Sequence, residues 1–182
     1  MTVEKDLLKS MKKFSYDSKI DIDEIQIFIF DFDGVITNNL VYVDQEGKET
    51  VSCSRADGLA FDVLRKLNKT TYILSTEKNH VVSSRAAKLD VPAYQGVNDK
   101  VDALHDIAIK HKVSLENVLY LGNDLNDFNA MTLCGYSACP SDSHIKIKEI
   151  SNIVLEKSGG NGVIRELLED YLKINLLNIL YK

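Results

Sequence analysis

Residues 25–30 read Ile-Gln-Ile-Phe-Ile-Phe, a β-branched and aromatic run of strand length that stops at Asp31-Phe-Asp-Gly34. A run apolar almost without interruption predicts a strand buried on both faces, as strands are in a parallel sheet. Parallel neighbours need crossover connections, usually helical. The sequence downstream supplies them. Thr70–Leu74 predicts a second strand, residues 91–95 a short third and Val118–Leu121 a fourth, with further short strands near residues 136–138 and 153–155. Between them lie helical stretches. Leu59, Val63, Leu64 and Leu67 recur at helical spacing after Asp57-Gly58. Residues 79–89 and Lys100–His111 follow, then a helix through Met131, another near Ile145 and a closing helix from about Gly162. The fold class predicted is α/β: a Rossmann-like, three-layer parallel sheet with helices on both faces and right-handed crossovers. Residues 40–54 add a projecting β-hairpin, with Val41-Tyr-Val43, a turn at Asp44-Gln-Glu-Gly47, and Glu49-Thr-Val-Ser-Cys53. Residues 1–24, mixed in charge and weakly periodic, read as an N-terminal extension, and residues 25–182 as one domain.

Composition narrows the partners. The chain has 182 residues, 45% of them hydrophobic, and 27 acidic against 22 basic side chains, a formal net charge of −5. That is a globular profile without the basic footprint of nucleic-acid binding. No apolar run reaches the ~18 residues of a membrane span. The opening Met-Thr-Val-Glu-Lys-Asp has neither the basic region nor the apolar stretch of a signal peptide. A cytoplasmic protein with no membrane partner is therefore expected. Cys53, Cys134 and Cys139 lack metal-ligand spacing, as do His80, His105, His111 and His144. The cysteines read as reduced thiols. An acidic chain can still bind an anionic substrate where a metal or a local lysine supplies positive charge.

In parallel α/β sheets ligands bind beyond the carboxyl ends of the strands, so the residues just after each strand carry the argument. Asp31 and Asp33 follow the first strand, and Gly34 permits the tight turn that aims both carboxyl groups into one pocket. Two carboxylates so close repel unless a cation lies between them, and hard oxygen donors of this kind suit Mg²⁺. Ser75-Thr-Glu77 follows the second strand, with a hydroxyl and an amide at a helix start. Lys100 follows Gln95-Gly-Val-Asn-Asp99, and Asn123, Asp124 and Asp127 follow the fourth strand as further oxygen donors. Singly, each is ordinary: Asp-x-Asp after a strand is common turn chemistry, and a lysine at a helix start is usually solvated. Their order is the informative feature.

That order resembles the four motifs of the haloacid dehalogenase superfamily, over roughly residues 25–172. The motifs are Asp31-Phe-Asp-Gly-Val-Ile-Thr37, Tyr94-Gln-Gly-Val-Asn-Asp-Lys100, Tyr120-Leu-Gly-Asn-Asp-Leu-Asn-Asp127 and Ser158-Gly-Gly-Asn-Gly-Val-Ile-Arg-Glu166. Together they are similar to the cap-less branch of 3-deoxy-D-manno-octulosonate 8-phosphate phosphatases, nine-carbon ulosonate 9-phosphate phosphatases and the C-terminal domains of acylneuraminate cytidylyltransferases. The resemblance implies no large cap, a homotetramer assembled through the hairpin, and a Mg²⁺-dependent phosphatase acting on a phosphorylated sugar acid. By position Asp31 is its nucleophile, Asp33 its general acid and base, and Ser75 and Lys100 hold phosphoryl oxygens. The metal set implied is Asp31, Asp33, Asn123, Asp124 and Asp127. The substrate-binding set is Thr37, Glu77, Arg85, Lys88 and Arg165, with Arg165 meeting the substrate carboxylate.

Two departures bear on activity and substrate. Where the octulosonate phosphatases carry Gly-Asp-Asp, this chain has Gly122-Asn123-Asp124. An amide oxygen brings no charge to Mg²⁺ and weakens its binding, with Asp124 or Asp127 to compensate. Cytidylyltransferase C-terminal domains of vertebrates carry a similar Asn, so a non-catalytic or weakly catalytic assembly module is the alternative reading. At the second motif Ser75-Thr-Glu77-Lys78 replaces the usual Thr-Gly-Arg, which resembles the nine-carbon phosphatases more closely. Glu77 is then a specificity candidate, and Arg85 and Lys88 share one helical face at i, i+3. An exposed, solvated helix surface is the plainer alternative for that pair.

Overall fold

In the computed structural model, which describes residues 20–181, the run at 25–30 becomes β1 (Ile27–Phe30), every residue of it buried. A kinked turn leads to the antiparallel ribbon β2 (Thr37–Val43) and β3 (Glu49–Cys53). Helix α1 (Arg55–Lys66), β4 (Thr70–Leu74), α2 (Val81–Leu89), β5 (Ala93–Tyr94) and α3 (Lys100–His111) follow. Then come β6 (Val118–Leu121), α4 (Phe128–Leu133), β7 (Tyr136–Cys139), α5 (Ile145–Ile150) and β8 (Ile153–Val154). Helix α6 (Val163–Glu166) and α7 (Leu176–Leu180) end the described chain. The sheet is six-stranded and parallel, in the order β5-β4-β1-β6-β7-β8.

Alternation along β1 makes the three layers. Phe28 and Phe30 point into the core shared with α1, α2 and α6, beside Phe61, Val63, Ile73 and Ile164. Ile27 and Ile29 point into the opposite core, with Leu104, Ile107, Met131 and Ile147 of α3, α4 and α5. A strand covered on both faces has no use for polar residues, which is why the run reads apolar throughout. Among the described residues no helix is long and apolar enough to cross a membrane.

Several boundaries differ from the sequence expectation. The N-terminal extension was expected over 1–24, and residues 1–19 of it lie outside the described residues. Residues 20–24 belong to the domain: Ile20 is buried in the core, and Lys69 Nζ donates to the carbonyls of Ile22 and Ile25 (2.8 and 3.0 Å). Helix α1 starts before Asp57-Gly58 because the Ser54 hydroxyl caps it, accepting from Ala56 N at 3.1 Å. β5 holds two residues, since Pro92 has no N–H for the ladder. The closing helix is broken: α6 widens over Leu167–Tyr171, and left-handed Lys173 (φ 56) separates it from α7.

The ribbon stands off the sheet. Leu40, Val41, Tyr42 and Val43 are 58, 51, 60 and 62% exposed, so both of its faces present apolar side chains. It is the only insertion between β1 and α1 among the described residues, and it is far smaller than a cap domain.

Candidate active site

Asp31 leaves the carboxyl end of β1 with its amide donating to Leu121 O of β6 at 2.9 Å. In the turn that follows, Asp33 is extended (φ −79, ψ 123) and Gly34 left-handed (φ 80). A β-carbon on Gly34 would lie 1.9 Å from Asn123 Nδ2, so this glycine lets the loops after β1 and β6 touch. The ends of β1, β4 and β6 thereby enclose a cleft of about 360 Å³. It is lined by Asp31, Asp33, Asn39, Ser75, Thr76 and residues 123–126. A larger cavity of about 400 Å³ lies at the other end of β4, beside Phe61, Tyr72 and His111, away from these carboxylates.

Below the cleft floor a buried ion cluster fixes Asp31. Lys100 Nζ, at the start of α3, donates to Asp31 Oδ1 at 2.7 Å and to Asp127 Oδ1 at 2.6 Å, with its side chain 1% exposed. Two carboxylates against one ammonium leave the cluster net negative. Burial, and then the Asp127 charge, push the Asp31 carboxyl up to about 8, although Lys100 opposes both. The same two carboxylates raise Lys100 above its ordinary value against the effect of its burial.

Asp127 is not a cleft residue. Fully buried, it accepts from Lys100 and Tyr120 OH (2.9 Å) on Oδ1 and from the amides of Asn123 (2.9 Å) and Asp124 (3.3 Å) on Oδ2. Expected in the metal set, it has both oxygens engaged in hydrogen bonds within the protein here. Tyr120 went unread in the sequence; a polar hydroxyl at the end of a strand buried on both faces was the available signal. Asp124 stays at the exposed rim, Oδ1 accepting from Leu125 N at 2.7 Å.

Thr37, expected in the substrate-binding set, is engaged within its own turn. It is 0% exposed, and its hydroxyl donates to Asp33 Oδ1 (3.4 Å) while accepting from Gly34 N and Asn39 N (both 3.2 Å). It therefore orients Asp33. Burial raises the half-buried Asp33 carboxyl, Glu77 raises it further, and the Thr37 bond opposes both.

Behind this turn lies the glycine loop that precedes α6. Gly160 N donates to Val35 O at 2.9 Å, and Gly159 N to Asp142 Oδ1 at 2.9 Å. A β-carbon on Gly159 would sit 2.1 Å from Gly34 O. Gly159→Ala is expected to destabilise the fold by about 1–3 kcal/mol, the range for overpacking a filled site, and to reduce turnover by moving Gly34. Urea unfolding beside steady-state kinetics checks this; an unchanged midpoint would show that the loop has room.

Ser75 is 1% exposed at the cleft, its Oγ accepting from Glu77 N at 3.0 Å. Glu77 Oε1 accepts from Lys78 N and Asn79 N (2.6 and 2.7 Å), and Asn79 Nδ2 donates to Glu49 Oε2 at 2.9 Å, tying this loop to the ribbon. Three expected substrate contacts do not reach this cleft within one chain. Arg85 and Lys88 line a separate groove between α1 and α2, where Arg85 Nη2 donates to Ser54 O at 2.9 Å. Arg165 pairs with Glu169 at 2.9 Å across one turn.

Asn123 decides whether a cation fits. Its Oδ1 is buried with no hydrogen-bond partner, beside carboxylates. Such an orphaned acceptor costs about 1–3 kcal/mol, and a hard cation held with Asp31 and Asp33 removes that cost and neutralises Asp31. Among the described residues no three His, Cys, Asp or Glu side chains gather into a metal site. Two carboxylates and an unpaired amide oxygen lining one cleft are hard donors, so the residues present fit a hard divalent cation.

Residues 55–167 match the haloacid dehalogenase-like hydrolase family. The chain is 31% identical over 148 residues to a 3-deoxy-D-manno-octulosonate 8-phosphate phosphatase of Salmonella typhi, covering 81% of this chain and 79% of that protein. The cobalt-bound deoxy-D-mannose-octulosonate 8-phosphate phosphatase of Haemophilus influenzae superposes with a TM-score of 0.78 at 28% identity, over 87% of this chain and 90% of that one. The 3-deoxy-D-manno-octulosonate 8-phosphate phosphatase of Moraxella catarrhalis, in complex with magnesium, phosphate and KDO, gives 0.79 at 27% identity, over 87 and 88%.

Proposed function

The chain belongs to the haloacid dehalogenase-like hydrolases, as a phosphoric monoester hydrolase, and we propose that its substrate is a phosphorylated 3-deoxy-ulosonic acid. The observation that carries this reading is the placing of Asp31. Its carboxylate is held by the Lys100 ammonium at 2.7 Å, at the carboxyl end of the central strand, beside half-buried Asp33 and the unpaired Asn123 oxygen. The relatives named above, and the chain's coverage of most of their length, support the sugar-acid class.

Asp31 attacks phosphorus, and the ester oxygen leaves as the Asp31–phosphorus bond forms, giving an aspartyl phosphate. Asp33, its carboxyl raised by burial and by Glu77, gives its proton to that oxygen. It then takes a proton from the water that attacks the phosphorus, which regenerates Asp31 and frees phosphate. Ser75, at the cleft wall, and Lys100, whose ammonium faces the Asp31 oxygen, position the phosphoryl group. Asp31, Asp33 and Asn123, with Asp124 at the rim, would hold Mg²⁺, which when bound supplies the charge that offsets repulsion between the carboxylate and the phosphoryl oxygens.

The exposed apolar ribbon supports assembly with further copies, a tetramer by the family resemblance. A neighbouring copy then completes each cleft. Arg85, Lys88 and Arg165, remote from their own cleft, bind substrate only across such a contact. Glu77, whose charge acts on Asp33, is the specificity candidate beside the general acid.

A phosphate-release panel tests the assignment, using the eight-carbon ulosonate 8-phosphate and nine-carbon ulosonate 9-phosphates, with millimolar Mg²⁺ or with EDTA. Metal-dependent release from one of these is the expected result. Release from simple phosphate esters alone would overturn the substrate class. No release at all would favour the assembly module, the reading to which Asn123 lends weight.

A further inference from the structure

We propose that Asn39 is a specificity-determining residue, whose side-chain amide hydrogen-bonds a hydroxyl of the leaving sugar; this rests on the phosphatase reading above. Four observations converge on it. The β2–β3 ladder pairs Thr37 with Cys53 and then resumes at Val41 and Val51, so the ribbon is irregular at its base. Within that irregularity Asn39 adopts a left-handed backbone, φ 62. Its own N–H donates at 3.2 Å to the Thr37 hydroxyl, the group that donates to Asp33 Oδ1. Its side chain lines the cleft with Asp33, Ser75 and Thr76.

The backbone of Asn39 is thus pinned to the hydroxyl that orients the general acid. Asp33 protonates the ester oxygen, so the cleft wall beside it faces the sugar atoms next to that oxygen. The left-handed conformation is unfavourable for any residue with a β-carbon, and glycine adopts it freely. Asn tolerates it better than most residues, and ordinary turn chemistry would leave its amide turned back on the local backbone. Here that amide is exposed and makes no hydrogen bond among the described residues. An amide offers one acceptor and two donors without charge. It matches a hydroxyl, which both donates and accepts, and is a poor match for a phosphate or carboxylate. Strained residues retained at a site wall are a recurrent sign of use.

Asn39→Gly tests this, because glycine adopts the left-handed backbone freely and the substitution takes the amide away with the side chain. The readout is the ratio of kcat/KM for an ulosonate phosphate to kcat/KM for p-nitrophenyl phosphate, whose leaving group carries no aliphatic hydroxyl. The ratio is expected to fall roughly tenfold, which is about 1.4 kcal/mol, chiefly through a higher KM for the sugar acid. An unchanged ratio overturns the proposal, whether both substrates are unaffected or both lose rate together through a disturbed Asp33. Wild-type protein active on p-nitrophenyl phosphate and inert on every ulosonate phosphate would instead overturn the substrate class, and with it the role of Asn39. Equal ratios in variant and wild type, where the wild type does hydrolyse the sugar acids, would remove Asn39 alone.

Discussion

Replacing Lys100 by methionine is expected to lower the melting temperature by roughly 10 °C, and by more at pH 8 than at pH 5. The ammonium lies between two carboxylates, 2.7 and 2.6 Å away, with all three side chains essentially out of water. Removing one member of a buried ion pair costs about 3–5 kcal/mol because the remaining charge is left uncompensated. In a domain of this size each kcal/mol moves the midpoint by about 2–4 °C. The pH dependence follows from Asp31. Its folded-state carboxyl already sits near 8, against an ordinary 3.8, through burial and Asp127. Without Lys100 it rises further. A carboxyl raised in the folded state contributes stability at low pH that is lost as pH rises through the window between the two values. At pH 5 Asp31 is protonated in both proteins; near pH 8 the wild-type carboxyl begins to ionise against Lys100, a gain the variant lacks, so the gap between the two widens. Melting curves of metal-free protein at both pH values check this. A shift of a degree or two, equal at both, would mean that Lys100 holds no buried charge pair.

Asp31→Asn is expected to abolish phosphate release, by about 10⁴-fold or more as for other lost nucleophiles, while raising the stability of the metal-free protein. An amide cannot form the acyl phosphate. It also removes one of two negative charges facing Lys100, so the buried cluster becomes neutral, with Lys100 still paired to Asp127 at 2.6 Å. The wild-type protein loses stability as pH climbs from about 4 to about 8, where Asp31 ionises in the fold. The variant lacks that slope, so its advantage grows across this window and is largest near pH 8. Phosphate release and melting temperature against pH test both halves. Retained turnover would remove Asp31 from the nucleophile's place; lost turnover in an unfolded variant would leave the stability argument wrong.

These effects were only partly legible in the chain. β1 could be read because a strand covered on both faces has no polar positions, and the ribbon because its turn residues separate two short β-rich runs. The start of α1 could not. Asp57-Gly58 looks like a turn, yet the Asp57 carboxylate is spent on the amides of Ile164 and Arg165 (2.9 and 3.1 Å), a partner brought from the far end of the chain. The hydrogen bonds of Thr37 and Asp127 were not legible either. A hydroxyl beside Asp33 and a carboxylate beside Asn123 look alike whether they face a cleft or a core. Thr37 is fixed by Asp33, Gly34 and Asn39 within its own turn, and Asp127 by Asn123, Asp124, Tyr120 and Lys100; spacing along the chain does not say which way either side chain turns. Arg85 and Lys88 do share a helix face; what that face meets is a tertiary question.

The central place of β1 has a consequence for the order in which the protein is made. Its partners are β4 on one edge and β6 on the other, and the amide of Asp31 is satisfied by Leu121 O. A ribosome adding about 5–20 residues per second needs roughly 5–20 s to travel from Asp31 to Leu121. Through that interval Ile27–Phe30 emerges with one edge or both bare, an apolar strand without its ladder. Only when β6 docks can Asp127, held by the Tyr120 hydroxyl, take up Lys100 from below. Asp31 is therefore synthesised seconds before Leu121 and Asp127 exist to hold it in place.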